Sequence, residues 1–201
     1  MTEYRVKTPV SEEEARKLKI GDVVYINGRV HVWRDRAYDY ISEILRKGGK
    51  IPEDLKGSVH WHCGPITKKV EDRWIVISAG STTSKRFNEK EPVAIGEWGV
   101  KLVIGKGLGM GEKVSQALKE YGAAYLSAVG GAASYYGKKV KEVKAVYWLE
   151  LGMPEAMWVF EVEDLGPLQV SMDSYGGNLY EDVRKQAYEN LLKAYHSIGI
   201  N

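Results

Sequence analysis

Along residues 22–33, Asp-Val-Val-Tyr-Ile-Asn-Gly-Arg-Val-His-Val-Trp, β-branched and aromatic side chains dominate on both sides of Asn27-Gly28. That pattern predicts two β runs, and the Asn-Gly pair, which tolerates positive φ, predicts a hairpin turn between them. Beyond Trp33 the pattern changes. Ala37, Ile41, Ile44 and Leu45 share one face of a helix that Asp35 can cap and Gly48-Gly49 can stop, which puts Arg34 at a strand-to-helix junction. Residues 58–66 alternate up to Gly64-Pro65, and Trp74-Ile75-Val76-Ile77-Ser78 is an unbroken apolar run of the kind expected in a buried strand. The small, hydroxyl-rich stretch Ala79-Gly80-Ser81-Thr82-Thr83-Ser84-Lys85-Arg86 follows it and suits a loop that opens a helix and turns backbone N–H groups toward an anion.

The pattern then repeats, with a strand over 101–104, a glycine-rich loop over 105–111 and a helix over 112–121. Further β runs are expected at 124–129, 145–149, 157–162 and 168–172. In the tail, Val183, Ala187, Leu191, Leu192 and Tyr195 recur at helical spacing. No internal repeat, low-complexity tract or linker interrupts the chain, so a single domain over 1–201 is expected. The fold class is α/β with a mixed sheet, because a hairpin opens it and several late strands follow without long helices between them.

Composition narrows the function. With 201 residues, 44% of them hydrophobic and 28% charged, the chain can bury a core without staples. It has no apolar run near the roughly 20 residues that span a bilayer, and its first residues lack a signal-peptide pattern, so a cytoplasmic location is expected. A net charge of +2 on 29 basic and 27 acidic residues gives no long-range field for nucleic acid or membrane. The lone Cys63 can neither close an internal disulfide nor hold an iron–sulfur cluster.

Three stretches could carry chemistry: Arg34-Asp35, the 80–86 loop and the 105–111 loop. Each follows an expected strand, so Arg34, Arg86 and Lys106 could converge around a small dianion, with arginine forks matched to carboxylates. The plainer readings are a charged helix start, a cap cluster at Thr82-Thr83-Ser84 and a solvated loop lysine. A nucleotide loop is not supported, since Lys106 is followed by Gly107 rather than Ser or Thr. His60 and His62 point to one face of their strand and Trp61 and Cys63 to the other, so packing or hydrogen bonding is expected there rather than one chelate. Tyr135, Tyr136, Trp148 and Trp158 read as core or interface residues.

Taken in order, Gly21-Asp22-Val23, Arg34-Asp35, His62-Cys63-Gly64-Pro65-Ile66, the segment from Ala79 to Arg86, Gly105-Lys106-Gly107 and the segment from Tyr125 to Ala133 resemble the carboxy-terminal domain of class I fumarases. That domain also occurs as a separate β subunit, including that of L-tartrate dehydratase. The chain departs from the family pattern at Trp33, where a small residue is usual, and at Tyr38, where a histidine is usual. The resemblance implies a swivelling β/β/α domain paired with a larger α subunit, as α2β2, in which the α subunit holds a four-iron four-sulfur (4Fe-4S) cluster. It implies reversible hydration of fumarate to (S)-malate, with dehydration of L(+)-tartrate as the alternative. Arg34, Arg86, Lys106 and Thr83 would bind the dicarboxylate, and Thr82 would be the base. A non-catalytic dicarboxylate-binding module is the competing reading from another class.

Overall fold

The computed structural model describes residues 1–199. In chain order its elements are β1 (Glu3–Lys7), α1 (Glu12–Lys17), β2 (Val23–Trp33), α2 (Asp35–Arg46), β3 (Val59–His62), β4 (Ile66–Val70), β5 (Arg73–Ser78), a 3-10 turn (Ser84–Phe87) and α3 (Glu91–Gly96). They continue with β6 (Leu102–Gly105), α4 (Glu112–Tyr121), β7 (Ala124–Ser127), α5 (Ala133–Gly137), β8 (Val140–Tyr147), a second 3-10 turn (Leu149–Leu151), β9 (Met157–Met172) and α6 (Leu179–Ser197). The mixed α/β class expected from the sequence is what forms.

Seven strands join in the order β1-β2-β3-β6-β7-β9-β8, and β9 also pairs with β2. Strands β1, β2, β3, β6 and β7 run parallel, whereas β9 is antiparallel to β2, β7 and β8. One edge of β9 bonds to β2 along most of its length, and the other edge meets first β8 and then β7. The ring β2-β3-β6-β7-β9 therefore closes on itself. Period-two alternation sends Val30, Val32, Trp61, Ile104, Leu126, Trp158 and Phe160 to one core, and Trp33, Val103 and Tyr125 to another shared with α2, α3 and α4.

Three sequence expectations are corrected. Asn27-Gly28 is not a hairpin turn: β2 runs straight through it, in parallel register with β1 from Glu3↔Val23 to Lys7↔Asn27. The pair instead sits where the β2–β9 register shifts, and Asn27 hydrogen-bonds through its side chain to both the backbone and the carboxylate of Asp164. Glycine is needed there for another reason as well, because φ is +100° and a Cβ would lie 2.5 Å from Thr8 Oγ1. The 74–78 run is not a buried strand: β5 pairs only with β4, outside the main sheet, and exposes Ile75 and Ile77 while Trp74 and Val76 pack on the core. The runs 157–162 and 168–172 are one strand, continuous through Asp164 and the Gly166-Pro167 pair, since β2 supplies partners along it. The tail helix α6 forms as expected and starts at Asn178, whose side chain accepts from the N–H groups of Tyr180 and Glu181, yet it buries none of its residues. No helix among the described residues is long and apolar enough to cross a membrane.

Replacing Gly28 with Ala should lower unfolding free energy by about 1–3 kcal/mol, because the left-handed backbone and the Thr8 contact both resist a Cβ. Urea denaturation checks it, and a loss below about 0.5 kcal/mol would contradict the crowding at Thr8.

Candidate functional site

Because β2, β3, β6 and β7 are parallel, their carboxyl ends open on the same edge of the sheet, where α/β proteins commonly build sites. Trp33 of β2 leads into Arg34, His62 of β3 into Cys63-Gly64, and Gly105 of β6 into Lys106. The hydroxyl-rich segment is threaded between these ends. Ser81 bridges Cys63 antiparallel, Thr83 bridges Lys106 in parallel, the Thr82 N–H donates to His62 O at 2.7 Å and the Ser84 N–H to Lys106 O at 3.1 Å. Thr82 and Thr83 are thus fixed through backbone bonds to two strand ends, and Arg86 follows within the 3-10 turn.

Arg34 holds the position before the first turn of α2. Its Nε lies 2.7 Å from Glu155 Oε1 and 3.6 Å from Asp35 Oδ2. Glu155 also accepts from the Arg36 backbone N–H at 2.9 Å, so one carboxylate both caps α2 from a distant segment and aims Arg34. Room for the guanidinium depends on Gly64, where a Cβ would lie 2.8 Å from Arg34 Nη1. Arg86 donates from Nη2 to Asp35 Oδ2 and lies over the Phe87 ring. The two arginines therefore meet on one oxygen of Asp35. Lys106 makes no carboxylate contact among the described residues, and Gly107 beside it, at φ +103°, packs against Thr83. The structure gathers all five residues named from the sequence on one edge, in two linked groups: Arg34 with Arg86, and Thr82-Thr83 with Lys106.

Behind this edge lies a network that sequence reading missed. Glu91, at the start of α3, is fully buried, and Tyr38, His60 and His62 surround its carboxylate. His62 Nε2 is 2.7 Å from Glu91 Oε2, His60 Nδ1 is 3.3 Å from Glu91 Oε1, and Tyr38 donates its hydroxyl to Oε2. His60 Nε2 faces Trp33 O at 3.3 Å, and His62 Nδ1 faces Ser84 Oγ at 2.9 Å. Burial alone would raise the Glu91 carboxyl, but the two imidazoles override it and hold it well below the usual carboxylate range. Burial pushes His60 down to about 4, and burial together with Glu91 pushes the Tyr38 hydroxyl up. The shared face of His60 and His62 was legible from strand alternation. Glu91 was not, because nothing in its local sequence marks it as buried.

The sequence profile of the Fumarase C-terminus family matches residues 2–183 of this chain. The chain belongs to the fumarase C-terminus family. It is 45% identical over 183 residues to a Methanocaldococcus jannaschii protein provisionally named L(+)-tartrate dehydratase subunit beta, covering 90% of this chain and 93% of that one. It is 39% identical over 178 residues to the L(+)-tartrate dehydratase subunit beta of Escherichia coli strain K12, covering 89% and 87% respectively. A Geobacillus stearothermophilus protein provisionally named class I fumarate hydratase is 43% identical over 187 residues, 92% of this chain but only 35% of that longer one.

Within this fumarase C-terminus domain, Cys63 is a poor ligand for a metal cluster. It is wholly buried, its side chain belongs to the apolar core, and burial pushes its thiol up despite the nearby Arg34. With a single cysteine, the residues present do not fit an iron–sulfur cluster. A thiol reagent such as DTNB should therefore leave the native chain unmodified over minutes and titrate one thiol per chain in denaturant. Rapid labelling of the native chain would contradict the placement of Cys63.

Proposed function

We infer that this chain is the β subunit of a hydro-lyase acting on a four-carbon dicarboxylic acid, with reversible hydration of fumarate to (S)-malate as its reaction. The observation that carries the reading is the meeting of Arg34 and Arg86 on Asp35 beside the Thr82-Thr83 and Lys106 ladder. Two guanidinium groups held around one carboxylate oxygen form a place where a substrate carboxylate can exchange with Asp35 or lie alongside it. The names of the relatives support a hydro-lyase subunit. Dehydration of L(+)-tartrate is the second reading, favoured by the match to subunit-length proteins of that name.

In this reading Arg34 and Arg86 bind the carboxylates, Lys106 adds a third cation and Thr83 lines the site. Thr82 takes the proton from the substrate carbon in the dehydration direction and returns it in hydration. A threonine hydroxyl is a weak acid, so the role depends on the positive field of the two arginines and Lys106 in a site closed from water. The 4Fe-4S cluster expected for such an enzyme would belong to an α subunit, in an α2β2 assembly. This chain contributes the carboxylate grip and the proton transfer at carbon.

Anaerobic co-production with a cluster-bearing partner, followed by absorbance assays of fumarate, malate and tartrate, tests the reading. Turnover should require both chains. Thr82→Ala should reduce kcat by about 10²–10⁴-fold with the complex intact, and near-normal turnover would remove Thr82 from the role of base. Arg86→Gln should cost about 1.5–3 kcal/mol in kcat/KM through loss of a charge-assisted hydrogen bond. An intact, cluster-loaded complex that turns over none of the three acids would defeat the proposed reaction.

A further inference from the structure

We propose that His60, His62 and Glu91 form a closed binding site for one divalent transition-metal ion of the zinc type, with the Tyr38 hydroxyl on its fourth side. The proposal is independent of the reaction assigned above. His60 Nδ1, His62 Nε2 and a Glu91 carboxylate oxygen all lie within 4.8 Å of one another, and all three residues are fully buried. Tyr38 Oη lies 3.2 Å from His60 Nδ1 and 3.3 Å from His62 Nε2. A tetrahedral zinc ion with bonds of about 2.0–2.1 Å sets its ligand atoms roughly 3.3 Å apart. The separations of 3.2–3.3 Å here have that size, and only the Glu91 contacts to His62 and Tyr38 are closer.

The outward-facing nitrogens settle which lone pairs point inward. His60 Nε2 faces the carbonyl of Trp33, which can only accept, so Nε2 carries a proton and the neutral ring has Nδ1 free to ligate. Nδ1 faces Glu91 Oε1 at 3.3 Å, the side from which an ion would be bound. His62 Nδ1 faces Ser84 Oγ, which can accept from it as well as from the Tyr125 hydroxyl at 2.9 Å, leaving Nε2 free to ligate. Metal-bound histidines commonly donate their second N–H to a carbonyl or other acceptor, and ligating carboxylates are themselves hydrogen-bonded, as Tyr38 does for Glu91. Among the described residues no lysine or arginine pairs with the buried Glu91 carboxylate, and a divalent cation at the centre would offset its charge. Gly105 leaves the room that Ser84 Oγ occupies, because a Cβ there would lie 1.8 Å from it. His60, His62, Glu91 and Tyr38 are all fully buried, so the ion would be structural.

The test is elemental analysis of the full chain, produced alone in zinc-supplemented medium and purified without chelator, together with cobalt loading of chelator-stripped protein. The expected result is about one zinc, or another divalent transition ion, per chain, visible absorption bands of tetrahedral cobalt, and a Tm lowered by about 5–10 °C on stripping. Glu91→Gln and His62→Asn should lose the ion. Should those variants fail to fold, the cobalt spectrum of the unmodified chain decides. Metal below about a tenth of an equivalent, no cobalt bands and a Tm indifferent to zinc would overturn the proposal in favour of a proton shared between His60 and Glu91. Retention of a full equivalent by folded Glu91→Gln and His62→Asn variants would also overturn it.

Discussion

A carboxylate with no access to water sets the terms for the rest of this structure. Glu91 is buried on α3, and an ionised carboxylate there survives only if donors or cations surround it. Its surroundings come from elements far apart in sequence, with Tyr38 on α2 and His60 and His62 on β3. Those histidines in turn reach the carbonyl of Trp33 and the hydroxyl of Ser84, the residues next to Arg34 and Thr83. The two halves of the candidate anion site are therefore tied to one buried group. The stack of Trp33 on His60, with ring centroids 3.6 Å apart and planes within 12°, adds a dispersion contact that holds β2 against β3 at the same point.

The parallel strands convert this local constraint into a surface. Their carboxyl ends lie side by side, so Arg34, Gly64 and Lys106 follow β2, β3 and β6 on one edge even though dozens of residues separate them. The 81–84 segment pairs with two of those ends through backbone bonds, and the Ser81 and Ser84 hydroxyls are held further by Trp61, His62 and Tyr125. β9 makes the arrangement rigid. By bonding to β2 along one edge and to β8 and β7 along the other, it closes the ring and leaves no free edge between β2 and β7.

Local pattern and tertiary pairing divide what could be read from the sequence. The helix over 112–121, stopped by Gly122 at φ +60°, and the strand from 124 form where their local pattern places them. Arg34, Arg86 and Lys106 could be named because each lies in a segment that follows an expected strand, and Thr82 and Thr83 because their segment resembles that of the fumarase family. The errors arise where the partner, absent from the local sequence, decides. Asn27-Gly28 has turn chemistry, yet β1 and β9 pair across it and keep it extended. The apolar stretch at 74–78 resembles a central strand, but among the described residues β4 is its only strand partner. Glu91, in Lys-Glu-Pro, looks like a solvated helix start, and only the fold brings two imidazoles to it.

Asp35 shows why arginine rather than lysine occupies both sides of the candidate site. One Asp35 oxygen is close to Arg34 and Arg86 together, while Arg34 also reaches Glu155 through the same Nε. A point-charge ammonium could not serve two carboxylates and still present a planar face outward, whereas a guanidinium has five donors in a fixed fork. The internal carboxylates use only some of these donors, and the rest stay available. Asp35 and Glu155 thus hold the arginines in place without exhausting them, and Lys106 contributes a cation that no carboxylate among the described residues offsets. The edge keeps a local positive excess in a chain whose net charge is close to neutral. That excess makes the field specific to this edge, so a small dianion is drawn by residues placed there by the fold and not by the charge of the protein as a whole.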